Sequence, residues 1–247
     1  MSNVALSGIS KWFPCKLDAP LHVLSDIGFE AQDGRILAII GASGCGKSTL
    51  LNIIAGLTPA DQGHVAIGGV PAGGDAVVPL SVMFQEDRLL PWRSAARNVG
   101  FGLEAAPITV TEKTRRIRDA LDMVGLSDFA EAFPHELSGG MRSRVALARS
   151  LATRPEVLLM DEPFSKLDPG TRTQIHGEVL RIAAAHAVTV IFVTHDVEEA
   201  VVLADRIVVL QPRPGTIREV VEIDLPRPRD VLTLKVTEAV RSLRALL

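Results

Sequence analysis

A glycine-rich loop near residue 45 carries the clearest chemical signal in the sequence. The segment GASGCGKST, residues 41–49, fits the pattern G-x-x-x-x-G-K-[ST]; the apolar run RILAII precedes it and KSTLLNIIAG continues from it. Glycines let such a loop curl so that successive backbone N–H groups face an anion, and the following helix adds its positive N-terminal end. The loop therefore predicts a site for the phosphates of a nucleoside triphosphate.

Three side chains of this loop have separate predicted roles. Lys47 is expected to reach the β- and γ-phosphates, Ser48 to offer its hydroxyl to Mg²⁺, and Thr49 to make a second phosphate contact. The other positions are expected to line the phosphates: Gly41, Ala42, Ser43, Gly44, Cys45 and Gly46. A tight strand-to-helix turn is the structural alternative, which the flanking pattern disfavours. The loop alone does not separate a kinase, a GTPase, a motor protein and a transport ATPase.

Two acids follow a second apolar run. EVLLMDEP, residues 156–163, places Asp161 and Glu162 at the carboxyl end of a predicted parallel strand, which faces the same crevice as the glycine loop. Asp161 is expected to hold Mg²⁺ through water, and Glu162 to polarise an attacking water as general base. A solvated turn is the alternative, but beside a phosphate loop the pair favours hydrolysis over transfer to an acceptor.

A histidine ends the next predicted strand. The segment VTHD places His195 at the same sheet edge, where a neutral imidazole could touch the γ-phosphate or the attacking water. A lone histidine is more often structural, but its position at the end of a neighbouring strand favours the functional interpretation.

A second possible anion site lies at LSGGM, residues 137–141. Ser138 can cap a helix whose first residues, Gly139 and Gly140, leave backbone N–H groups open to a phosphate. An ordinary capped helix is the alternative. No ligand for this second site is evident in its own chain.

The order of these segments resembles that of the ABC ATP-binding cassettes. LSGGM is followed by RSRVALARSLATRP, and the glycine loop, Gln85, LSGGM, the acidic strand end, SKLD at 165–168 and His195 follow one another as in that family, over nearly the whole chain. The resemblance implies a head-to-tail dimer with a second copy or a homologous ATPase subunit. In that dimer the LSGGM turn closes on the ATP of the opposite subunit, which gives two shared sites.

The resemblance also implies roles for residues outside the glycine loop. Gln85 corresponds to the glutamine that reaches Mg²⁺ and the water, and its loop leads into a helical lobe that receives the coupling helices of a membrane permease. Phe13 looks like the aromatic that stacks on adenine, with the adjacent Trp12 as the alternative and the insertion-like PCKLDAP blurring the register. Asp168 is the favoured nucleotide-site residue of SKLD.

Two departures from the family pattern concern contacts rather than catalysis. Ser143 replaces a glutamine, which weakens a possible ribose contact, and Lys166 replaces a small residue, which puts a charge at the expected dimer seam. Neither alters the predicted catalytic residues, so an active ATPase is still expected.

The segment FQEDRLLPWRSAARNVGFGL, residues 84–103, is similar to the nitrate, sulfonate and taurine branch of ABC importers. This implies uptake of a small organic or inorganic anion through permease subunits, fed indirectly by a solute-binding protein. LLPW could dock a partner helix or pack the lobe's own core. A soluble ABC ATPase and an exporter cassette are the competing functions.

The strands that must position these residues are predicted from short apolar runs in which polar residues do not alternate with apolar ones. RILAII (35–40), EVLLM (156–160), VTVIFV (188–193) and RIVVL (206–210) predict buried strands of a parallel sheet. Helical stretches at Pro169 to His186 and Asp196 to Ala204 complete an α/β pattern. With the resemblance, the predicted fold is a P-loop NTPase of the ABC ATPase type, with a parallel core sheet, an antiparallel β-subdomain and an inserted α-helical subdomain.

A single domain is expected over residues 1–247. Residues 1–85 and 156–225 should form the RecA-like core with the β-subdomain, 86–155 the helical subdomain, and 226–247 a C-terminal extension that includes an amphipathic helix. The first 30 residues and the stretch 64–84 are predicted to form the antiparallel element. About 35 residues follow Gln211, too few for a regulatory domain.

Composition sets limits on partners and compartment. A net charge of −3 with 22% charged residues gives no broad basic field, so no nucleic-acid partner is expected. Two cysteines favour a reduced compartment, and the start lacks a signal-peptide pattern. The apolar runs are too short for a bilayer span. The resemblance to ABC importers implies a peripheral position on the cytoplasmic face of the plasma (inner) membrane.

Overall fold

Two sheets and a set of helices make up the computed structural model, which describes residues 2–15, 19–72 and 78–247. The strands in these ranges are β1 (Val4–Phe13), β2 (Leu21–Ala31), β3 (Ile36–Gly41), β4 (Gln62–Ile67), β5 (Val70–Pro71), β6 (Leu80–Met83), β7 (Val157–Asp161), β8 (Thr189–Thr194), β9 (Arg206–Gln211) and β10 (Thr216–Glu222). The helices are α1 (Lys47–Ile54), α2 (Ala95–Gly100), α3 (Val110–Met123), α4 (Gly139–Ala152), α5 (Pro169–His186), α6 (Val197–Leu203) and α7 (Leu234–Arg244).

The central sheet has the strand order β10-β9-β3-β8-β7-β6. Its strands run parallel except β10, which pairs antiparallel with β9 at one edge. The four runs predicted as buried strands are the four interior strands, whose residues need apolar character on both faces. The α/β fold with a parallel core is therefore confirmed.

The smaller sheet, in the order β2-β1-β4-β5, is antiparallel and packs with α1 on one face of the central sheet. Leu37 and Ile39 of β3 enter that apolar cluster, while Ala38 and Ile40 enter the cluster on the opposite face. One prediction needs correction. Residues 80–83 were expected in the antiparallel element, but β6 pairs parallel with β7 and so belongs to the central sheet.

Helices α2, α3 and α4 lie between β6 and β7 in the chain and pack against one another. Helix α3 lies within the predicted helical subdomain; Thr109 caps it, and Gly125, at φ 64°, follows its end. Buried residues of these helices, such as Val99, Leu121 and Val145, continue into the apolar cluster on the helical face of the central sheet. The inserted helices thus share a core with the sheet that carries the strand-end acids.

The C-terminal segment packs against the same face. Helix α7 contacts α6 and buries Val236, Val240 and Leu243, which confirms its amphipathic character. Within residues 2–15, 19–72 and 78–247, no helix is both long enough and apolar enough to cross a membrane.

Candidate functional site

The glycine loop connects β3 to α1 around a buried lysine. Lys47 is only 7% exposed, and its Nζ donates hydrogen bonds to the carbonyls of Gly41 (2.7 Å) and Ala42 (3.1 Å). A Cβ at Gly41 would lie 2.6 Å from the Leu210 carbonyl oxygen, so only glycine fits there. Gly46 caps α1 at φ 94°. The loop is therefore curled tightly at the positive end of the helix, as phosphate binding requires.

The β9–β10 turn supports this loop from outside. A Cβ at Gly215 would lie 2.2 Å from the Cys45 carbonyl oxygen. Gly215 also exchanges backbone hydrogen bonds with β2, accepting from Ser25 (2.9 Å) and donating to Val23 (2.8 Å). The sequence analysis did not single out Gly215, because its requirement for glycine arises from a contact across 170 residues.

The acidic pair begins at the last residue of β7. Ser48 Oγ donates to Asp161 Oδ1 at 3.1 Å, so the glycine loop and the acidic strand end are in direct contact. Burial raises the pKa of Asp161, and the charge of Glu162 raises it further, against the lowering effects of Ser48 and Lys47. A bound cation would therefore stabilise the ionised form of this carboxylate.

Glu162 turns away from the strand at φ 46°, and its N–H donates to the Val193 carbonyl at 3.0 Å. Its carboxylate lies between two side chains: Oε2 accepts from Gln85 Nε2 at 3.2 Å, and Oε1 lies 3.3 Å from His195 Nδ1. The three residues follow β6, β7 and β8. Adjacent parallel strands thus bring together, at one sheet edge, side chains that are up to 110 residues apart in the chain.

A cation here would depend on oxygen ligands. Among residues 2–15, 19–72 and 78–247, no group of three or more His, Cys, Asp and Glu could hold a metal. The Ser48 hydroxyl and the Asp161 carboxylate are hard oxygen donors of the kind Mg²⁺ takes together with nucleotide phosphates. The residues present therefore fit Mg²⁺ that arrives with a nucleotide.

The LSGGM turn begins α4. The Ser138 hydroxyl accepts from the Met141 N–H at 3.2 Å, which is the predicted helix cap. Gly139 and Gly140 are partly exposed in the first turn, while Ser143 is 6% exposed and donates to the Gly139 carbonyl at 3.2 Å. Ser143 therefore bonds within its own helix, whereas the two glycines keep the helix start accessible.

The segment 165–168 contacts both this turn and the acidic pair: a Cβ at Gly140 would lie 3.4 Å from the Lys166 carbonyl oxygen, and the Ser165 hydroxyl donates to the Glu162 carbonyl at 2.9 Å. Lys166 Nζ donates to the Gln85 carbonyl at 3.2 Å, and Asp168 caps α5 by accepting from the Thr171 N–H at 3.0 Å. That hydrogen bond lowers the pKa of Asp168. Asp168 therefore has a helix-capping role in this chain, and its contact with a nucleotide remains a prediction.

Two arginines that the sequence analysis did not identify fix the loop after Gln85. Arg142 Nε donates to Asp87 Oδ2 at 3.0 Å, and Arg149 donates to the carbonyls of Asp87 (2.8 Å) and Arg88 (2.9 Å). Burial lowers the pKa of Arg149. Their spacing of seven residues, which places both on one face of α4, was the available sequence signal. They couple the LSGGM helix to the Gln85 loop.

The LLPW segment is divided between packed and exposed residues. Leu89 packs against the core and Asn98 holds Leu90 by accepting its N–H at 2.8 Å, whereas Trp92 is 70% exposed. Trp92 borders a cavity of about 530 Å³ that Ile117 also lines. This part of the lobe therefore presents an aromatic side chain to solvent beside a groove.

The two candidate adenine-stacking aromatics at the end of β1 differ in their surroundings. The Trp12 ring stacks on His22 with centroids 4.3 Å apart. Phe13 is 38% exposed, with Lys11 Nζ 5.4 Å from its ring centre. Phe13 is thus the aromatic that offers an exposed ring; part of the PCKLDAP segment, residues 16–18, lies outside the described residues.

Comparison with known proteins gives consistent similarities. The family described as ABC transporter matches residues 24–165. The aliphatic sulfonates import ATP-binding protein SsuB 1 of Xanthomonas axonopodis pv. citri is 46% identical over 226 residues, 91% of this chain and 89% of that protein. The taurine import ATP-binding protein TauB of Rhizobium johnstonii is 42% identical over 221 residues, 88% of this chain and 83% of that protein.

A solved structure has the same fold. The ATP-binding cassette MJ0796, in a dimeric post-hydrolysis state bound to ADP and Pi, gives a TM-score of 0.81 at 28% identity, covering 90% of this chain and all of that one.

Proposed function

Because the chain belongs to the ABC transporter family and is an ATP-binding subunit with ATPase chemistry, we propose that it powers the import of a small anion such as nitrate, a sulfonate or taurine. The single observation that best supports ATP hydrolysis is the position of the Glu162 carboxylate, which lies between Gln85 and His195. A carboxylate fixed in this way at the mouth of a phosphate loop suits activation of water.

In the proposed mechanism, Lys47 and the backbone N–H groups of the loop hold the phosphates. Glu162 orients the attacking water and accepts its proton, while His195 fixes the carboxylate and contacts the γ-phosphate. Ser48, Gln85 and Asp161 would hold Mg²⁺, which when bound neutralises charge on the β- and γ-phosphates. These groups would together favour cleavage of the bond between the γ-phosphorus and the bridging oxygen.

The accessible start of α4 supports a composite site. Ser138, Gly139 and Gly140 form a capped helix N-terminus suited to phosphate, on a different element from the loop that holds Lys47. In a head-to-tail dimer with a second copy or a homologous subunit, this turn would close on the partner's ATP. The dimeric state of the ADP-bound cassette at 28% identity supports this arrangement.

The exposed Trp92 supports a membrane partner. An aromatic beside a groove on the helical lobe is suited to receive a short helix of an integral permease, which would place the subunit on the cytoplasmic face of the membrane. The permease and a solute-binding protein would choose the substrate.

The partner is tested by purifying the chain from gently solubilised membranes and identifying what accompanies it. We expect an integral membrane protein, and we expect Trp92→Ser to reduce its recovery without changing ATP binding. Leu232→Ser, which removes an apolar side chain 87% exposed on another part of the surface, is the matched control. Recovery of no membrane protein would favour a soluble ABC ATPase.

The substrate class is tested on the complete transporter in proteoliposomes. Stimulation of ATP hydrolysis by solute-binding protein loaded with a sulfonate, taurine or nitrate would identify the anion. Stimulation by none of these anions would contradict the proposed branch.

A further inference from the structure

Arg172 on α5 connects two loops of the candidate site. Its Nη2 donates to the Leu167 carbonyl at 3.2 Å, and its Nη1 donates to Asp196 Oδ2 at 3.4 Å. Its Nε lies 3.6 Å from Glu199 Oε1. One guanidinium therefore touches the segment 165–168 on one side and the residues after His195 on the other.

Asp196 and Glu199, which Arg172 contacts, belong to a hydrogen-bond network around His195. Asp196 caps α6 by accepting from the Glu198 N–H at 2.9 Å, and its own N–H donates to Thr194 Oγ1 at 3.0 Å. The Thr194 hydroxyl in turn donates to Glu199 Oε2 at 2.7 Å. Both chain neighbours of His195 therefore belong to the network that Arg172 enters.

The charges in this network make an arginine important. Glu199 is 5% exposed, and burial raises its pKa, so its ionised form depends on nearby positive charge. His176, one turn further along α5, has a pKa of about 4 because it is buried beside Arg172, and it is neutral at pH 7. The guanidinium bonds to the Leu167 carbonyl and to Asp196 through two separate nitrogens and places its charge 3.6 Å from Glu199, whereas a lysine carries all of its donors on a single atom.

We propose that Arg172 is a positioning residue, which transmits the position of the segment 165–168 to His195 and so makes hydrolysis depend on dimer closure. The inference rests on the proposed function, because it requires this segment to lie at an ATP-dependent dimer seam. When dimer closure shifts the Leu167 carbonyl, Arg172 would move with it and displace Asp196 and Glu199. Dimer closure would then adjust how His195 lies against Glu162, a contact that the single chain already makes at 3.3 Å.

The test is steady-state ATP hydrolysis by Arg172→Met, with kcat and KM measured separately. We expect kcat to fall about tenfold while KM for ATP stays within about twofold, because Leu167, Asp196 and Glu199, which Arg172 contacts, lie outside the predicted nucleotide-binding residues. Arg172→Lys, which keeps the charge but cannot make all three contacts, should recover part of kcat. Arg181→Met is the matched control, because Arg181 lies on the same helix and pairs locally with Glu178 at 2.7 Å.

Thermal unfolding and nucleotide titration give the folded, ATP-binding fraction of each variant. A kcat of Arg172→Met within twofold of the parent, or a fall no larger than the loss of that fraction, would overturn the inference. So would loss of the ATP-trapped dimer when Arg172→Met is combined with Glu162→Gln, since the residue would then act on assembly. Two other results would contradict the proposed function instead: a parent chain that does not hydrolyse ATP, or a Glu162→Gln variant that stays monomeric with ATP.

Discussion

His195 Nδ1 lies 3.3 Å from Glu162 Oε1, across the ends of the adjacent strands β8 and β7. The contact joins an imidazole to the carboxylate that we assign to water activation. Because each residue directly follows a strand of one parallel sheet, small shifts of either strand end change the distance between the two groups. If Glu162 activates water as proposed, hydrolysis should therefore be sensitive to movements of the loops around this contact.

Glu162→Gln should keep ATP binding and stop hydrolysis. An amide has nearly the same shape and can still bond to Gln85 and His195, but it cannot accept a proton from water. We expect kcat to fall by about 100-fold or more, with accumulation of a dimer holding two ATP molecules. Single-turnover hydrolysis and size-exclusion chromatography with ATP measure the two effects. A monomer with normal turnover would contradict the mechanism.

Phe13→Ala should weaken ATP binding, whereas Trp12→Ala should change it little. Phe13 offers an exposed ring and Trp12 is stacked on His22, so loss of stacking on adenine should cost Phe13→Ala about tenfold in Kd. Titration with ATP and with inorganic triphosphate separates base binding from phosphate binding. A larger effect of Trp12→Ala on ATP would assign the stacking to Trp12.

The buried imidazole of His176 should make stability depend on pH. Burial, with Arg172 nearby, lowers its pKa from 6.5 to about 4, so between these values the unfolded chain binds a proton that the folded protein does not. The contribution of neutral His176 to the free energy of unfolding is fully present above pH 6.5. It is lost as the pH falls from 6.5 to about 4, by up to about 3 kcal/mol.

Urea unfolding of His176→Leu between pH 4 and 7 checks this dependence. The variant should lose less stability on acidification than the parent protein. His186→Leu, at the exposed end of the same helix, should keep the parent's slope. Equal slopes for His176→Leu and the parent would show that the imidazole does not contribute.

Arg229→Met should destabilise the fold. Arg229 is 7% exposed and donates to the carbonyls of Val201, Ala204, Ile223 and Leu225. Its removal leaves buried carbonyls without partners at the end of α6, at a cost of about 3 kcal/mol. Urea denaturation measures the loss, with Arg218→Met at an exposed position of β10 as the control. Similar midpoints for the two variants would contradict the role of Arg229.

The sequence by itself determined where phosphate chemistry could occur. The loop around Lys47 and the polar residues after apolar runs are local patterns, and parallel strands place their carboxyl ends at one edge whatever the details of packing. The positions of Glu162 and His195 at a common edge followed from that rule. Their distance did not, because it depends on strand register.

Tertiary structure decided which side chains support the site. Residues 80–83 look like a short apolar strand in either sheet, and only pairing with β7 assigns them to the central one. Gly215, Arg142, Arg149 and Arg172 resemble ordinary turn and helix residues in the sequence, since their partners lie in other elements. The spacing of Arg142 and Arg149 marks a shared face of α4, but no local pattern says what a residue contacts in a distant element, and this is why these contacts were found only in the folded chain.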